Sequence, residues 1–101
     1  MSDVVSYQLH GNIGVIAVNS PPVNALSQSV REGILNAVNQ AQADASEAVV
    51  LRCEGRTFIA GADITEFGKP PKDPWLPELL SAIENSSKPV IAAIHGTALG
   101  G

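Results

Sequence analysis

The sequence predicts an α/β domain, and three observations predict it. Short apolar, β-branched runs stand at residues 4–9, 13–18, 48–53 and 90–94. Segments with apolar residues at helical spacing lie between the second and third runs and between the third and fourth. A loop of small residues leaves each of the last two runs, at Ala60-Gly61-Ala62-Asp63 and at residues 96–101. Such alternation places strands in parallel, joined by right-handed crossovers, and gathers ligands at the carboxyl edges of those strands.

In order, Val4, Ser6 and Gln8 alternate with Val5, Tyr7 and Leu9 before Gly11-Asn12 interrupts and the apolar run resumes at Ile13, the pattern of a hairpin. Ser20-Pro21-Pro22-Val23 is a stiff connector, because each proline lacks an N–H and biases its predecessor toward extended backbone. Over residues 27–43, Val30, Ile34, Val38 and Ala41 recur on one helical face, with Arg31, Glu32, Asn39 and Gln42 on others. Either Ser27 or Ser29 can cap this helix, and Ser29 with Glu32 fits a capping box.

The run from Ala48 to Cys53 reads as a strand buried on both faces. Residues 64–67 form one short helical turn, and Gly68-Lys69-Pro70-Pro71-Lys72 is a loop too rich in proline and charge to be core. Asp73-Pro74 is expected to start the second helix, with Trp75, Leu76, Leu79, Leu80 and Ile83 on its apolar face. Trp75, as a member of that face, belongs to core or interface. Asn85 to Pro89 stops the helix, and residues 90–94 read as another buried strand.

Composition narrows the function classes. At 101 residues, 45% of them hydrophobic and 16% charged, the chain suits one small globular domain with tight burial. Its six Lys and Arg residues, against a net charge of -4, form no basic stripe, so nucleic acid is not an expected partner. No apolar run reaches the roughly 18 residues of a membrane span. Met1-Ser2-Asp3 lacks the start of a secretory signal, which makes a cytoplasmic address the expectation. Cys53, the single cysteine, excludes an internal disulfide or a cysteine-based zinc cluster and reads as a small buried hydrophobe.

Side-chain chemistry is sparse. The phosphate-loop, dinucleotide, nucleophile-elbow and paired-histidine zinc patterns are all absent. His10 lies beside a turn as an exposed polar residue, and His95 is expected to satisfy a loop backbone. Asp63 fits the cap of a short helical turn, and Glu66 a solvated position on it. Alanines and glycines carry no reactive group, so chemistry at residues 58–67 must come from main-chain N–H groups.

Ala60-Gly61-Ala62-Asp63, with Pro22-Val23-Asn24-Ala25-Leu26 upstream and Ala98-Leu99-Gly100-Gly101 downstream, resembles the enoyl-CoA hydratase/isomerase family, the crotonase superfamily. Residues 88–94, which precede the last motif, fit the same pattern, and the resemblance covers essentially the whole chain. The Pro-Pro-Val-Asn-Ala form is most similar to the amino-terminal hydratase/isomerase region of multifunctional fatty-acid β-oxidation proteins.

The resemblance implies the amino-terminal portion of a crotonase-type ββα spiral, residues 1–101 forming part of one such domain. It implies that the N–H groups of Ala62 and Gly101 form an oxyanion hole around an acyl-CoA thioester carbonyl. Ala60, Asp63, Ile64 and Thr65 would line the CoA site, and Asn24, Ala25 and Leu26 would flank its nucleotide or pantetheine part. Coenzyme A enters as substrate, with no metal or redox cofactor, and the partner is a second copy or a fused dehydrogenase region. Family hydratases continue past the equivalent of Gly101 into two catalytic glutamates, so the isolated chain is expected to lack activity.

Overall fold

The computed structural model of the chain describes residues 4–100. Two strands, β1 (Val5–His10) and β2 (Ile13–Val18), form the hairpin, and Gly11 takes φ +60° at the first central position of its two-residue turn. A primed turn demands that positive φ, and glycine supplies it without strain. Helix α1 (Gln28–Ala43) leads to β3 (Ala48–Cys53), which pairs parallel to β2 with Ile13 opposite Ala48. A 3₁₀ turn (Ile64–Glu66) and α2 (Leu76–Glu84) then lead to β4 (Val90–Ala92), parallel to β3 with Val49 opposite Val90. The strand order is β1-β2-β3-β4, the expected α/β arrangement.

The two helices pack on each other and on the sheet face that carries Ile16, Val18, Val49, Leu51 and Cys53. Val30, Ile34, Val38 and Ala41 of α1 meet that face as their spacing predicts, and Leu79 of α2 closes the layer. Each of the Val, Ile and Leu side chains contributes about 1.5–3 kcal/mol by leaving water. Ser27 is the residue that caps α1, its Oγ accepting from the Val30 N–H, and the Ser29–Glu32 box goes unused.

Four expectations are corrected. β3 alternates buried with half-buried residues, because helices cover one face of the sheet only. β4 ends at Ala92 and is largely exposed, with Ile91 54% accessible and Ile94, just past its end, 61%: it is the edge strand, and an apolar hollow of about 330 Å³ stays open between it and α2. The second helix begins at Leu76, with Trp75 in the capping position and Pro77 in its first turn. The carbonyls of Lys72, Asp73 and Pro74 accept from Arg31 and Gln28 of α1, which holds that segment outside any helix. Trp75 accordingly lies half out of the structure, 55% exposed, and joins no core face.

The carboxyl end of α1 is tied by a polar cluster. Tyr7 donates its hydroxyl to Asp44 Oδ2 at 2.5 Å, and Lys88 Nζ donates to the Ala41 carbonyl, the Asp44 carbonyl and Ser46 Oγ. A cation at the last turn satisfies carbonyls the helix leaves open and complements its dipole. The Ser46 hydroxyl, then the Tyr7 hydroxyl, hold the Asp44 carboxyl well below the usual carboxylate range.

Two outcomes follow. A Cβ on Gly33 would stand 2.6 Å from the Cβ of Val5. Gly33→Ala is therefore expected to lower stability by about 1–2 kcal/mol, despite a helix preference of roughly 0.5–1 kcal/mol in its favour. Urea unfolding measures this, and the loss should shrink when Gly33→Ala is compared with glycine in a Val5→Gly background, which lacks both the Cβ and the Cγ2 that stand at 2.6 Å. Asp44 has a folded pKa below its unfolded value, so its stabilisation is complete above about pH 4 and is lost as pH falls through the acid range. Asp44→Asn should be less stable than the parent at neutral pH and show a flatter decline below about pH 4, read as denaturation midpoint against pH.

Candidate functional site

At the carboxyl edge of the sheet three segments come together as main chain. From Phe58 onward the chain after β3 runs between residues 23–26 on one side and residues 95–99 on the other. The Leu26 N–H donates to the Gly61 carbonyl at 2.8 Å and the Ala60 N–H to the Val23 carbonyl at 3.2 Å. Across the other side, the N–H groups of Phe58 and Ile59 donate to the His95 and Thr97 carbonyls, and Leu99 returns a bond to the Ile59 carbonyl at 2.9 Å. Phe58 and Ile59 are buried, so the middle segment is fixed by packing as well as by pairing.

Small residues are required here because backbones touch. A Cβ on Gly100 would lie 3.3 Å from the Cα of Gly61, and Gly61 itself sits at φ +115°, which other residues rarely adopt. Beyond this contact Ala62 is exposed, and among the described residues nothing accepts from its N–H. That donor is held by its neighbours and left without a protein acceptor among the described residues. Gly101, the other expected donor, lies outside the described residues.

Asn24, Ala25 and Leu26 are brought to the same place, in different capacities. Asn24 is 3% exposed at φ +53°. Its Oδ1 accepts from the Ser20 N–H at 2.7 Å, while Nδ2 donates to the Glu54 and Thr57 carbonyls, each at 2.8 Å. Those bonds clamp the proline connector to the exit of β3, so the side chain supports the wall from behind. Leu26 is buried beneath the loop, and Ala25 and Ala60 are half-buried. Ile64, 74% exposed, and Thr65 project from the turn that follows Ala62.

The nearby carboxylates are committed. Asp63 Oδ1 accepts from the Thr65 hydroxyl at 2.7 Å and the Thr65 N–H at 3.0 Å, the expected cap, and these bonds hold its carboxyl below the ordinary range. Glu66 is no solvated bystander: Oε2 accepts from the Gln28 N–H at 2.8 Å and Oε1 pairs with Arg31 at 3.0 Å. The Gln28 N–H, then Arg31, lower its pKa. Burial pushes the Cys53 thiol up to about 11, as suits a buried hydrophobe. His95 meets the Gly55 carbonyl at 2.7 Å, the backbone role expected of it.

The turn, the amino end of α1 and the loop from Lys69 to Pro77 enclose a groove of about 560 Å³ that includes Ala62, Asp63 and Thr65. Sequence reasoning missed Arg31, Gln28, Phe67 and Trp75 as parts of it. One signal was available for Arg31: a cation near a helix amino terminus opposes the dipole and needs an anionic partner.

The family profile described as Enoyl-CoA hydratase/isomerase matches residues 8–101. The chain belongs to that family. It is 46% identical over 91 residues to the peroxisomal bifunctional enzyme of Danio rerio, covering 89% of this chain and 13% of the relative. It is 38% identical over 107 residues to a protein named probable enoyl-CoA hydratase from Bacillus subtilis (strain 168), covering 98% and 42%. Among solved structures, the DspI protein of Pseudomonas aeruginosa superposes with a TM-score of 0.81 at 26% identity, covering 96% and 40%. The enoyl-CoA hydratase/isomerase of Pseudoalteromonas atlantica T6c gives 0.79 at 25%, covering 90% and 38%. The chain thus shares the crotonase-type fold and spans less than half the length of these relatives.

Within this family member, Asn24 provides a separable test of the wall. Asn24→Ala leaves the Glu54 and Thr57 carbonyls without their donor and forces an alanine into positive φ. A loss of about 2–4 kcal/mol is expected. Asn24→Gly removes the amide but keeps the backbone conformation, and should be less damaging by about 1 kcal/mol. Chemical denaturation of the two variants separates the contributions.

Proposed function

We propose that the chain supplies acyl-CoA recognition and half of an oxyanion hole to an enzyme that hydrates 2-enoyl-CoA to 3-hydroxyacyl-CoA in fatty-acid β-oxidation. The observation that carries this is Ala62, an exposed residue lining the groove whose N–H meets no acceptor among the described residues, on a backbone pinned from both sides. When water adds to C3 of an enoyl thioester, a C–O bond forms, one O–H bond of the water breaks with its proton passing to a base, and the π electrons move onto the thioester oxygen. As that charge returns, C2 takes a proton from an acid, so the net change is addition of one water with no redox step. A fixed donor at that oxygen contributes about 3 kcal/mol in the transition state. Gly101 supplies the second donor by family resemblance, and Ala60, Asp63, Ile64 and Thr65 border the CoA thioester.

Neither Asp63 nor Glu66 serves as the proton-transfer group, since both are bonded to structural donors and both are biased toward the weakly basic carboxylate. The acid and base are the two glutamates that family hydratases carry beyond the equivalent of Gly101. The same observation favours a second reading, a module that binds acyl-CoA or packs against another subunit without turnover. A relative named as a bifunctional enzyme supports a fused dehydrogenase region as partner, with a homo-oligomer the alternative. That relative is also named for the peroxisome, which sets a peroxisomal site beside the cytoplasmic one expected from the sequence.

Ala62→Pro in the protein as its gene encodes it deletes the proposed donor. Enoyl-CoA hydration should fall by about 10²–10³-fold in kcat, while Ala62→Gly, which keeps the N–H, stays near the parent. Near-normal turnover of a folded Ala62→Pro overturns the oxyanion assignment. Acyl-CoA binding without turnover by the parent protein favours the second reading.

A further inference from the structure

The groove beside Ala62 is bounded by a strap, residues 67–73, every one of which is exposed. Burial does not hold this strap, and its own main chain donates only at its start, from the Phe67 N–H to the Ile64 carbonyl and from the Lys69 N–H to the Glu66 carbonyl, among the described residues. What fixes its far end is two side chains of α1, Arg31 foremost. Arg31 donates from Nε to the Pro74 carbonyl at 2.7 Å and from Nη2 to the Lys72 carbonyl at 3.0 Å. Its Nη1 reaches the Leu26 carbonyl at 2.7 Å and Glu66 Oε1 at 3.0 Å. Gln28 completes the set, donating its side-chain amide to the Asp73 carbonyl at 2.8 Å.

We infer that Arg31 is a positioning residue: its planar fork sets the strap at a fixed distance from the Ala62–Thr65 wall and so keeps the groove at ligand width. The side chain is only 11% exposed and all of its nitrogens point at protein oxygens, so it does not itself offer charge to a ligand. Four acceptors spread over Leu26, Glu66, Lys72 and Pro74 suit a guanidinium, whereas a lysine ammonium donates from one point. Ala62 is held by main-chain bonds in which Arg31 takes no part, Leu26 N–H to the Gly61 carbonyl and Ala60 N–H to the Val23 carbonyl. Loss of Arg31 therefore weakens binding more than it weakens stabilisation of the developing charge.

The kinetic arm of the test rests on the acyl-CoA reading above, and a second arm does not. In the protein as its gene encodes it, Arg31→Ala should raise KM for a 2-enoyl-CoA about tenfold or more while kcat stays within about threefold. Amide exchange should quicken at Phe67 and Lys69, whose N–H groups are bonded at the start of the strap, with Val49 and Leu51 as protected as in the parent. Arg31→Lys, which keeps the charge and guards against failure to fold, should show the same split at smaller amplitude. An unchanged KM in either variant, or exchange that quickens equally in β3, overturns the inference. If the parent fails to hydrate enoyl-CoA, the functional reading fails, and the exchange arm still decides whether Arg31 holds the strap.

Discussion

A main-chain N–H can stabilise charge on a ligand only if the atoms around it are immobile before the ligand arrives, since any reorganisation is subtracted from the benefit. In this chain immobility is produced by the contact of backbones at Gly61. Its carbonyl receives the Leu26 N–H, its Cα sits against Gly100, and before it Phe58 and Ile59 are buried and the segment is paired on both sides. The rest of the fold delivers three loops to that contact. β3 and β4 run parallel and in register, so the segments leaving them emerge side by side at one edge. The proline connector after β2 arrives there because Asn24 bolts it to the exit of β3.

Helix α1 ties both flanks of this arrangement, by opposite electrostatics. At its carboxyl end Lys88 sits where the dipole favours a cation, reaching the Ala41 and Asp44 carbonyls, and through them it sets the entry to β4. At its amino end Arg31 sits where the dipole disfavours one, and Glu66 offsets that with a carboxylate that also takes the Gln28 N–H. The first tie would form on any helix of this kind. The second exists only because the 3₁₀ turn after Ala62 brings an acid across to the helix, so helix and turn position each other.

Much of this was legible in the residues, where local pattern and tertiary context agree. The spacing of Val30, Ile34, Val38 and Ala41 gave α1 to within a residue, and Gly11-Asn12 gave the hairpin. The three small-residue motifs named the segments that meet, because close approach of backbones leaves a compositional trace. What was not legible depended on partners distant in sequence. Asp73-Pro74 has the composition of a helix start, yet its carbonyls are claimed by Gln28 and Arg31, more than forty positions earlier. Burial of β4 was read from its apolar residues, but composition does not say whether a strand has a neighbour on its far side. Glu66 looked solvated because nothing local marks the donor that occupies it.

The errors fall mostly on one structural unit, the turn and strap between Ala62 and α2, and for one physical reason. Elsewhere apolar burial at about 25 cal/mol per Å² decides the conformation, and burial leaves a periodic signature that a sequence displays. Here the chain is exposed and proline-rich, and its shape is decided by a few charge-assisted bonds that leave no periodicity. Each such bond contributes only about 1.5–3 kcal/mol, too little to hold a domain together but enough to choose among the few conformations open to a loop. The core can therefore hold the Ala62 donor in place while the width of the groove beside it is set separately, by polar contacts that can change without unfolding the sheet.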